Sequence, residues 1–165
     1  MIETFGAVAV TLYAAHHVGD YWVQTDDQAK HKGQAGEEGR GHCLIHVSTY
    51  LLTQAAFLAV VEIVLGLDMS GLGILLGLAV SGVTHYMADR REHGLMFKLA
   101  RKLPGKANFL TLGVPRHHYV VVSRVPGAGV EPIDNPSLGT GAWALDQSWH
   151  IFWGVWVAGL LIAAL

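Results

Sequence analysis

Long apolar runs alternate with charged stretches along this chain, and each run is close to the length of a membrane-spanning helix. A helix needs roughly 20 predominantly apolar residues to cross a bilayer. We find four such runs, at about residues 5–23, 43–67, 72–88 and 143–165. The first run is the weakest, because His16, His17 and Asp20 interrupt it. The pattern predicts an all-α fold: a four-helix transmembrane bundle that forms one integral membrane domain, residues 1–165.

The positions of the basic residues predict how this bundle is oriented. All eleven Lys and Arg residues lie in two loops, residues 26–41 and 90–141. The two termini and the short turn at Asp68 to Gly71 carry none. Because cytoplasmic loops are enriched in Lys and Arg, we expect both loops in the cytoplasm and both termini outside. The long third loop is then cytoplasmic, and the chain is a multi-pass protein of the inner (cytoplasmic) cell membrane, in contact with membrane lipids.

The composition agrees with a membrane protein. The chain is 52% hydrophobic and only 15% charged, whereas soluble domains are nearer a quarter charged. This excludes a disordered chain, and the single cysteine, Cys43, excludes a disulfide scaffold. The basic loops are not interleaved with aromatic residues, which argues against a nucleic-acid partner.

The start of the long third loop has helical periodicity, from about Glu92 to Leu103. Three leucines share one face and three basic residues lie on the other side; they are Leu95, Leu99, Leu103, Lys98, Arg101 and Lys102. A short amphipathic helix on the membrane surface fits this pattern. A plain cytoplasmic extension of the third helix fits it nearly as well. Further along, Tyr119 to Val122 is expected to form a short strand.

Ionisable residues inside the predicted spans are the main indication of function. Such residues are costly in a membrane and are functional candidates by default. They form pairs four residues apart, a spacing that places both members on one helix face. The pairs are His16 with Asp20, His85 with Asp89, and Asp146 with His150, and the second span adds His46. In the predicted topology, all seven lie at the cytoplasmic ends of the four helices.

Four imidazoles and three carboxylates at one depth predict a metal site for one or two divalent ions. Nitrogen and oxygen ligands of this kind suit zinc, manganese or iron. Small residues, Gly73, Gly77 and Ser81, precede His85 at intervals of four, which favours close helix packing. The alternative is that the polar groups only hydrogen-bond neighbouring helices together. Cys43 is a soft ligand candidate, although a small buried thiol fits its position better.

The order of these motifs resembles a known family. The sequence contains His16-x-x-Gly-Asp20-Tyr-x-x-Gln24-Thr-Asp, then His46, His85-x-x-x-Asp89 and Asp146-Gln-x-x-His150. This resembles the small bacterial and phage membrane proteins grouped as domain of unknown function family 3307. That family is distantly similar to inner-membrane metal-dependent hydrolase-like proteins. The resemblance implies a multi-pass fold with a His/Asp site and supplies no substrate.

The leading functional hypothesis is a metal-dependent hydrolase of a lipid or lipid-linked substrate, with enzyme activity left open. Asp20 is the candidate general base, and Gln24, one turn further on, is the candidate for orienting substrate. Arg90 and Arg91 would lie near a substrate phosphate. The alternatives are a non-enzymatic metal- or proton-binding transporter or sensor, which would need a homo-oligomer, and a membrane interaction protein with a structural polar cluster. In the transporter hypothesis, the path would start along His46, Tyr50, Gln54 and Glu62.

Overall fold

The computed structural model describes residues 1–113, 119–121, 130–132 and 140–165, and these ranges are almost entirely helical. Within these ranges, three helices are long and apolar enough to cross a membrane: Gly36–Leu65, Gly71–Asp89 and Gly141–Ala164. The all-α class is therefore confirmed. The predicted N-terminal span is not among these three helices, because its α-helix α1, Ile2–Val18, has only 17 residues. The chain then continues in wider π-helical turns, Gly19–Val23.

The first predicted loop, residues 26–41, is mostly helical. A short helix α2 spans Asp26–His31 and begins with a capping box between Thr25 and Gln28. Helix α3 spans Gly36–Leu65 and so begins before the expected Cys43. The predicted start is wrong because it counted only apolar residues. Acidic residues in a first helical turn are stabilised by the helix dipole, and Glu37 and Glu38 lie there.

Helix α4, Gly71–Asp89, follows the tight turn and starts at Ser70, whose side chain accepts a hydrogen bond from the Gly73 backbone N–H. Its small-residue face packs closely on the C-terminal part of the chain. A Cβ added at Gly77 would lie 2.6 Å from Ile162 Cγ1 and 2.9 Å from the Ala158 carbonyl oxygen. The predicted role of small residues in close helix packing is therefore confirmed at this position.

The last helical rod consists of three consecutive segments. They are α7 (Thr140–His150), a π-helical stretch (Ile151–Val157) and α8 (Ala158–Ala164). We refer to residues 140–164 as the C-terminal rod. It packs against α1 and α4, and α3 also packs against α1 and α4. The apolar core between these helices is formed by Val8, Leu12, Leu58, Met69, Val155, Ala158 and Ile162.

The long connection after α4 leaves the helix axis at a sharp turn. A 3₁₀ turn, Arg91–His93, contains Arg91 at φ 47° and is followed by extended Gly94. Helices α5 (Leu95–Lys102) and α6 (Lys106–Leu110) come next. The turn separates α5 from α4, so the idea of a plain extension of the third helix is wrong. Further on, Tyr119–Val121 pairs antiparallel with Val130–Pro132, which confirms the expected short strand.

The helix after this turn is confirmed, and it is amphipathic on two sides. Met96, Phe97 and Ala100 pack into a second small core with Ala88, Leu110 and Ala142. The predicted apolar face, Leu95, Leu99 and Leu103, is exposed, as a helix on a membrane surface requires. Its contact with a membrane stays a prediction.

Candidate metal centre

The seven side chains that the sequence predicts as ligands meet at one place in the molecule. We call this group the His/Asp cluster: His16, Asp20, His46, His85, Asp89, Asp146 and His150. Six of them are buried, and the Asp20 side chain is 10% exposed. The structure thus brings all seven predicted ligands together. They come from α1, the π-helical turns after it, α3, α4 and the C-terminal rod.

The inner half of the cluster is a tight group of four. The Nε2 atoms of His46 and His85 lie 3.0 Å apart. Asp89 Oδ2 lies 3.1 Å from the first of these nitrogens and 3.0 Å from the second. Asp20 Oδ1 lies 3.5 Å from both. Two imidazole nitrogens and two carboxylate oxygens therefore converge on one small volume, as in a site that surrounds a metal ion.

The outer half of the cluster consists of Asp146 and His150, and His150 faces the other carboxylate oxygen of Asp89, Oδ1. His150 Nε2 lies 3.8 Å from Asp89 Oδ1 and 3.6 Å from Asp146 Oδ2. The two oxygens of Asp89 thus face two different sets of ligand atoms. One set is His46, His85 and Asp89, and the other is Asp89, Asp146 and His150. In each set, the ligand atoms lie within 4.8 Å of one another. This arrangement is that of a carboxylate bridging two adjacent metal positions.

Asp20 links the inner group to His16. Its Oδ1 faces the inner group, and its Oδ2 lies 3.6 Å from His16 Nδ1. His16, Asp20 and His85 also form a set whose ligand atoms lie within 4.8 Å of one another. On its other side, His16 Nε2 contacts Gln147 Oε1 at 3.2 Å. Sequence reasoning assigned Gln147 no role, although it stands beside Asp146 in the motif.

Five side-chain atoms of the cluster are buried without a hydrogen-bond partner in the described part of the chain. They are His16 Nδ1, Asp20 Oδ1, His46 Nδ1, His85 Nδ1 and His150 Nε2. Leaving a buried polar atom unpaired costs about 1–3 kcal/mol. Asp20 and His150 belong to different ligand sets, and a divalent ion in either set would remove that cost for the atom that coordinates it. The donor set fits zinc, manganese or iron.

Lys32 adds a positive charge that the sequence analysis missed. Its Nζ donates a hydrogen bond to Asp89 Oδ2 at 2.8 Å, and its side chain is 8% exposed. Three carboxylates and one ammonium leave the cluster with a formal charge of −2 when the imidazoles are neutral. A single divalent cation balances that charge. The sequence shows only a charged loop here, and the inward direction of Lys32 depends on how α2 folds back on α3.

Arg90 holds this folded segment in place. Its guanidinium donates to the carbonyl oxygens of Lys32 and Gln34, each at 2.6 Å, and it is buried. The expected place of Arg90 near a substrate phosphate stays a prediction. Burial lowers the pKa of the neighbouring Arg91 guanidinium from its usual value, yet arginine keeps its charge at any physiological pH.

Polar side chains continue from the cluster into the apolar part of the bundle. The Tyr50 ring lies 3.9 Å from the His85 ring, centroid to centroid. Gln54 Nε2 donates to Tyr50 Oη at 2.9 Å, and Ser81 Oγ donates to Gln54 Oε1 at 2.9 Å. The predicted polar stripe is thus buried down to Gln54. Glu62, at its far end, is half-buried and lies outside this network.

Gln24 and Cys43 lie apart from the ligand groups. Gln24 follows the π-helical turns in extended conformation, and its buried Nε2 has no hydrogen-bond partner among the described residues. Its role in orienting substrate stays a prediction. Cys43 is fully buried and belongs to none of the described ligand groups, which favours the small buried thiol.

The remaining histidines differ in their surroundings. His31 and His42 each approach Asp27 through Nδ1, at 3.1 and 3.2 Å, in a half-exposed group where α2 meets α3. His93 is exposed. His117 and His118 lie outside the described residues.

Both π-helical stretches adjoin the cluster. One contains Asp20, and the other starts directly after His150. Such wider turns inside helices occur frequently at functional sites. At the first of them, a Cβ on Gly19 would lie 2.8 Å from Tyr50 Cδ2, so glycine lets α1 approach α3 closely.

The chain matches no protein-family model, no curated protein and no solved structure.

Proposed function

We propose that this chain is a multi-pass protein of the inner membrane that crosses the bilayer four times. Three described helices are long and apolar enough to do so. The N-terminal segment, 2–23, packs beside them and carries exposed apolar side chains such as Val10. All Lys and Arg residues lie in the loops 26–41 and 90–141, which supports a cytoplasmic location for both loops and places both termini outside in this proposal. The resemblance to domain of unknown function family 3307 is part of the same proposal.

The His/Asp cluster in this proposal binds one or two divalent metal ions. The observation that carries it is the geometry of Asp89, whose two oxygens face two sets of His and Asp ligand atoms. Helical bundles build such centres from paired ligands on facing helices. Zinc, manganese and iron all fit the donor set.

The function that this centre supports best is metal-dependent hydrolysis of a lipid or lipid-linked substrate. A divalent ion held by these residues would lower the pKa of its bound water and would polarise the phosphoryl or acyl oxygen of the substrate. Asp20 is placed to accept a proton, since its side chain keeps 10% exposure at the edge of the cluster. Lys32 places a positive charge beside Asp89, where it can stabilise negative charge that develops on a phosphoryl oxygen.

A transporter or sensor is the second candidate function, and the network of Tyr50, Gln54 and Ser81 favours it. These side chains extend the polar region from the cluster into the membrane-spanning part of the bundle. Four helices are few for a transport path, so this function requires a homo-oligomer. Metal binding without any turnover, together with a dimer in detergent, would favour it over hydrolysis.

The substitution Asp20→Asn tests the hydrolase proposal most sharply. Loss of a general base lowers turnover by about 100-fold or more. We expect the variant to remain folded, to keep much of its metal and to lose hydrolysis of lipid phosphates or esters. Turnover by the metal-loaded wild type and the variant would be compared in the same micelles.

Full activity of the variant would show that Asp20 is not the base. A purely structural Asp20 would only weaken helix packing, by about 1 kcal/mol. No turnover of any phosphoester, ester or peptide substrate by the metal-loaded wild type would contradict the hydrolase proposal itself.

A further inference from the structure

An apolar groove of about 350 Å³ runs between α5 and the C-terminal rod. Its α5 wall includes Leu99 and Leu103, and its other wall includes Leu145, Trp149 and Trp153. Ligand pockets usually have volumes of about 300–1,000 Å³. The groove is therefore large enough for part of a small molecule, and its walls select an apolar one.

Helix α5 presents three distinct sectors around its axis. One sector, Met96, Phe97 and Ala100, packs into the protein. The second sector consists of three exposed leucines, Leu95, Leu99 and Leu103, of which Leu99 and Leu103 line the groove. The third sector consists of the exposed basic residues Lys98, Arg101 and Lys102. An exposed apolar sector beside a basic one is typical of helices that lie in the interface of a membrane with anionic lipids.

The location of α5 agrees with such an interface. The sharp turn at Arg91 and Gly94 comes directly after α4, so α5 lies where a spanning helix ends. On the nearby rod, Trp143 is half-exposed. Tryptophan concentrates where membrane meets water, which favours headgroup depth for the groove.

The groove shares a wall with the His/Asp cluster. Leu145 and Trp149 line the groove, and the residues that follow each of them, Asp146 and His150, belong to the cluster. The Trp149 indole N–H donates to the Thr84 carbonyl oxygen at 2.9 Å, next to His85. A lipid in the groove therefore lies against the helix turns that carry two of the ligands.

We propose that this groove binds the acyl chain of a membrane lipid with an anionic phosphate headgroup, which lies beside Lys98 and Lys102. The apolar walls of the groove fit the acyl chain, and the basic sector of α5 complements the negative charge of the phosphate. This inference rests on the proposed function for the membrane location of α5.

Native mass spectrometry of the full chain in mild detergent tests the proposal, with dioleoyl phosphatidylglycerol as the probe. We expect the wild type to retain this lipid in preference to dioleoyl phosphatidylcholine. Leu99→Trp fills the groove and should lower the retained fraction about tenfold, which corresponds to roughly 1.4 kcal/mol. Leu95→Trp is the matched control, since Leu95 is equally exposed on α5 and does not line the groove. It should bind as the wild type does.

The charge requirement and the source of the phosphate need separate measurements. The double variant Lys98→Gln/Lys102→Gln should lose the preference for phosphatidylglycerol over phosphatidylcholine. Excess inorganic phosphate should leave the bound lipid in place, because the acyl chain provides most of the binding. Equal retention by the Leu99 and Leu95 variants, or displacement by inorganic phosphate, would overturn the groove proposal.

Failure of this proposal is distinguishable from failure of the metal centre. The Leu99→Trp variant should keep its metal, because Leu99 contributes no ligand. Lipid retention by a wild type that binds no metal would leave the groove proposal standing and contradict only the proposed centre. Bound metal with no retained lipid would contradict only the groove.

Discussion

Asp89 connects the two halves of the His/Asp cluster through its two carboxylate oxygens. Oδ2 contacts His46, His85 and Lys32, and Oδ1 faces His150. A buried carboxylate needs positive partners to stay ionised. Among the described residues, the Lys32 ammonium contacts it at 2.8 Å. Lys32 therefore stabilises the cluster without metal and competes with metal for the same oxygen.

Replacing Lys32 by Met should separate these two effects. Removing one partner of a buried ion pair costs about 3–5 kcal/mol, so the metal-free variant should unfold more readily in a thermal or denaturant titration. Metal should bind the variant about tenfold more tightly, since no ammonium competes for Asp89; charged hydrogen bonds contribute roughly 1.5–3 kcal/mol. Isothermal titration with zinc measures this affinity.

Lys30→Met is the matched control for this experiment. Lys30 is exposed on α2, two residues before Lys32, so its removal should change metal affinity much less than the removal of Lys32 does. Weaker metal binding in the Lys32 variant than in the control would contradict the competition argument. It would show instead that Lys32 supports the bound state.

Single residues differ in how well the sequence predicts them. The His–Asp pairs were predictable, because a spacing of four fixes a shared helix face and apolar surroundings make a polar pair conspicuous. The burial of Lys32 was not predictable, because it depends on the capping box of α2 and on two hydrogen bonds from Arg90. No local pattern distinguishes it from Lys30.

At the scale of helices, apolar runs in the sequence predict that a helix exists better than they predict where it begins and ends. The runs predicted α3 and α4, whereas the start of α3 at Gly36 lies in polar sequence that hydropathy counts as a loop. The apolar pattern gave no sign of the π-helical turns at Gly19–Val23 and Ile151–Val157. These turns matter for the site, since each adjoins residues of the cluster.

Helix α5 shows that a periodic pattern predicts a helix without predicting every face that packs. Leucine spacing predicted an apolar surface at Leu95, Leu99 and Leu103, which is exposed, but gave no sign that Met96, Phe97 and Ala100 pack into the protein. Both sectors are apolar, so hydrophobicity alone cannot rank them. The choice depends on where the turn at Arg91 directs the helix, which is a tertiary feature.

For the whole molecule, the orientation in the membrane follows from the distribution of charge. A cysteine placed near Gly36, with Cys43 replaced by Ala, should be protected from a membrane-impermeant thiol reagent in intact cells. A cysteine at either terminus should react, because both termini are proposed to lie outside. Labelling in permeabilised cells is the control for accessibility. The opposite pattern would reverse the orientation and place the cluster at the outer face.

The central claim is that the His/Asp cluster is a metal centre formed by all four helical segments. The most direct test is the metal content of the detergent-purified protein, measured by inductively coupled plasma mass spectrometry after loading with zinc, manganese or iron. We predict at least one bound ion per chain in the wild type. His85→Ala and His150→Ala should each lose metal, since even a change beyond the ligands themselves lowers affinity roughly 10–100-fold. His93→Ala, at an exposed position, should keep its metal. A wild type that binds no ion under any loading condition, or unchanged metal in the His85 and His150 variants, would contradict the account.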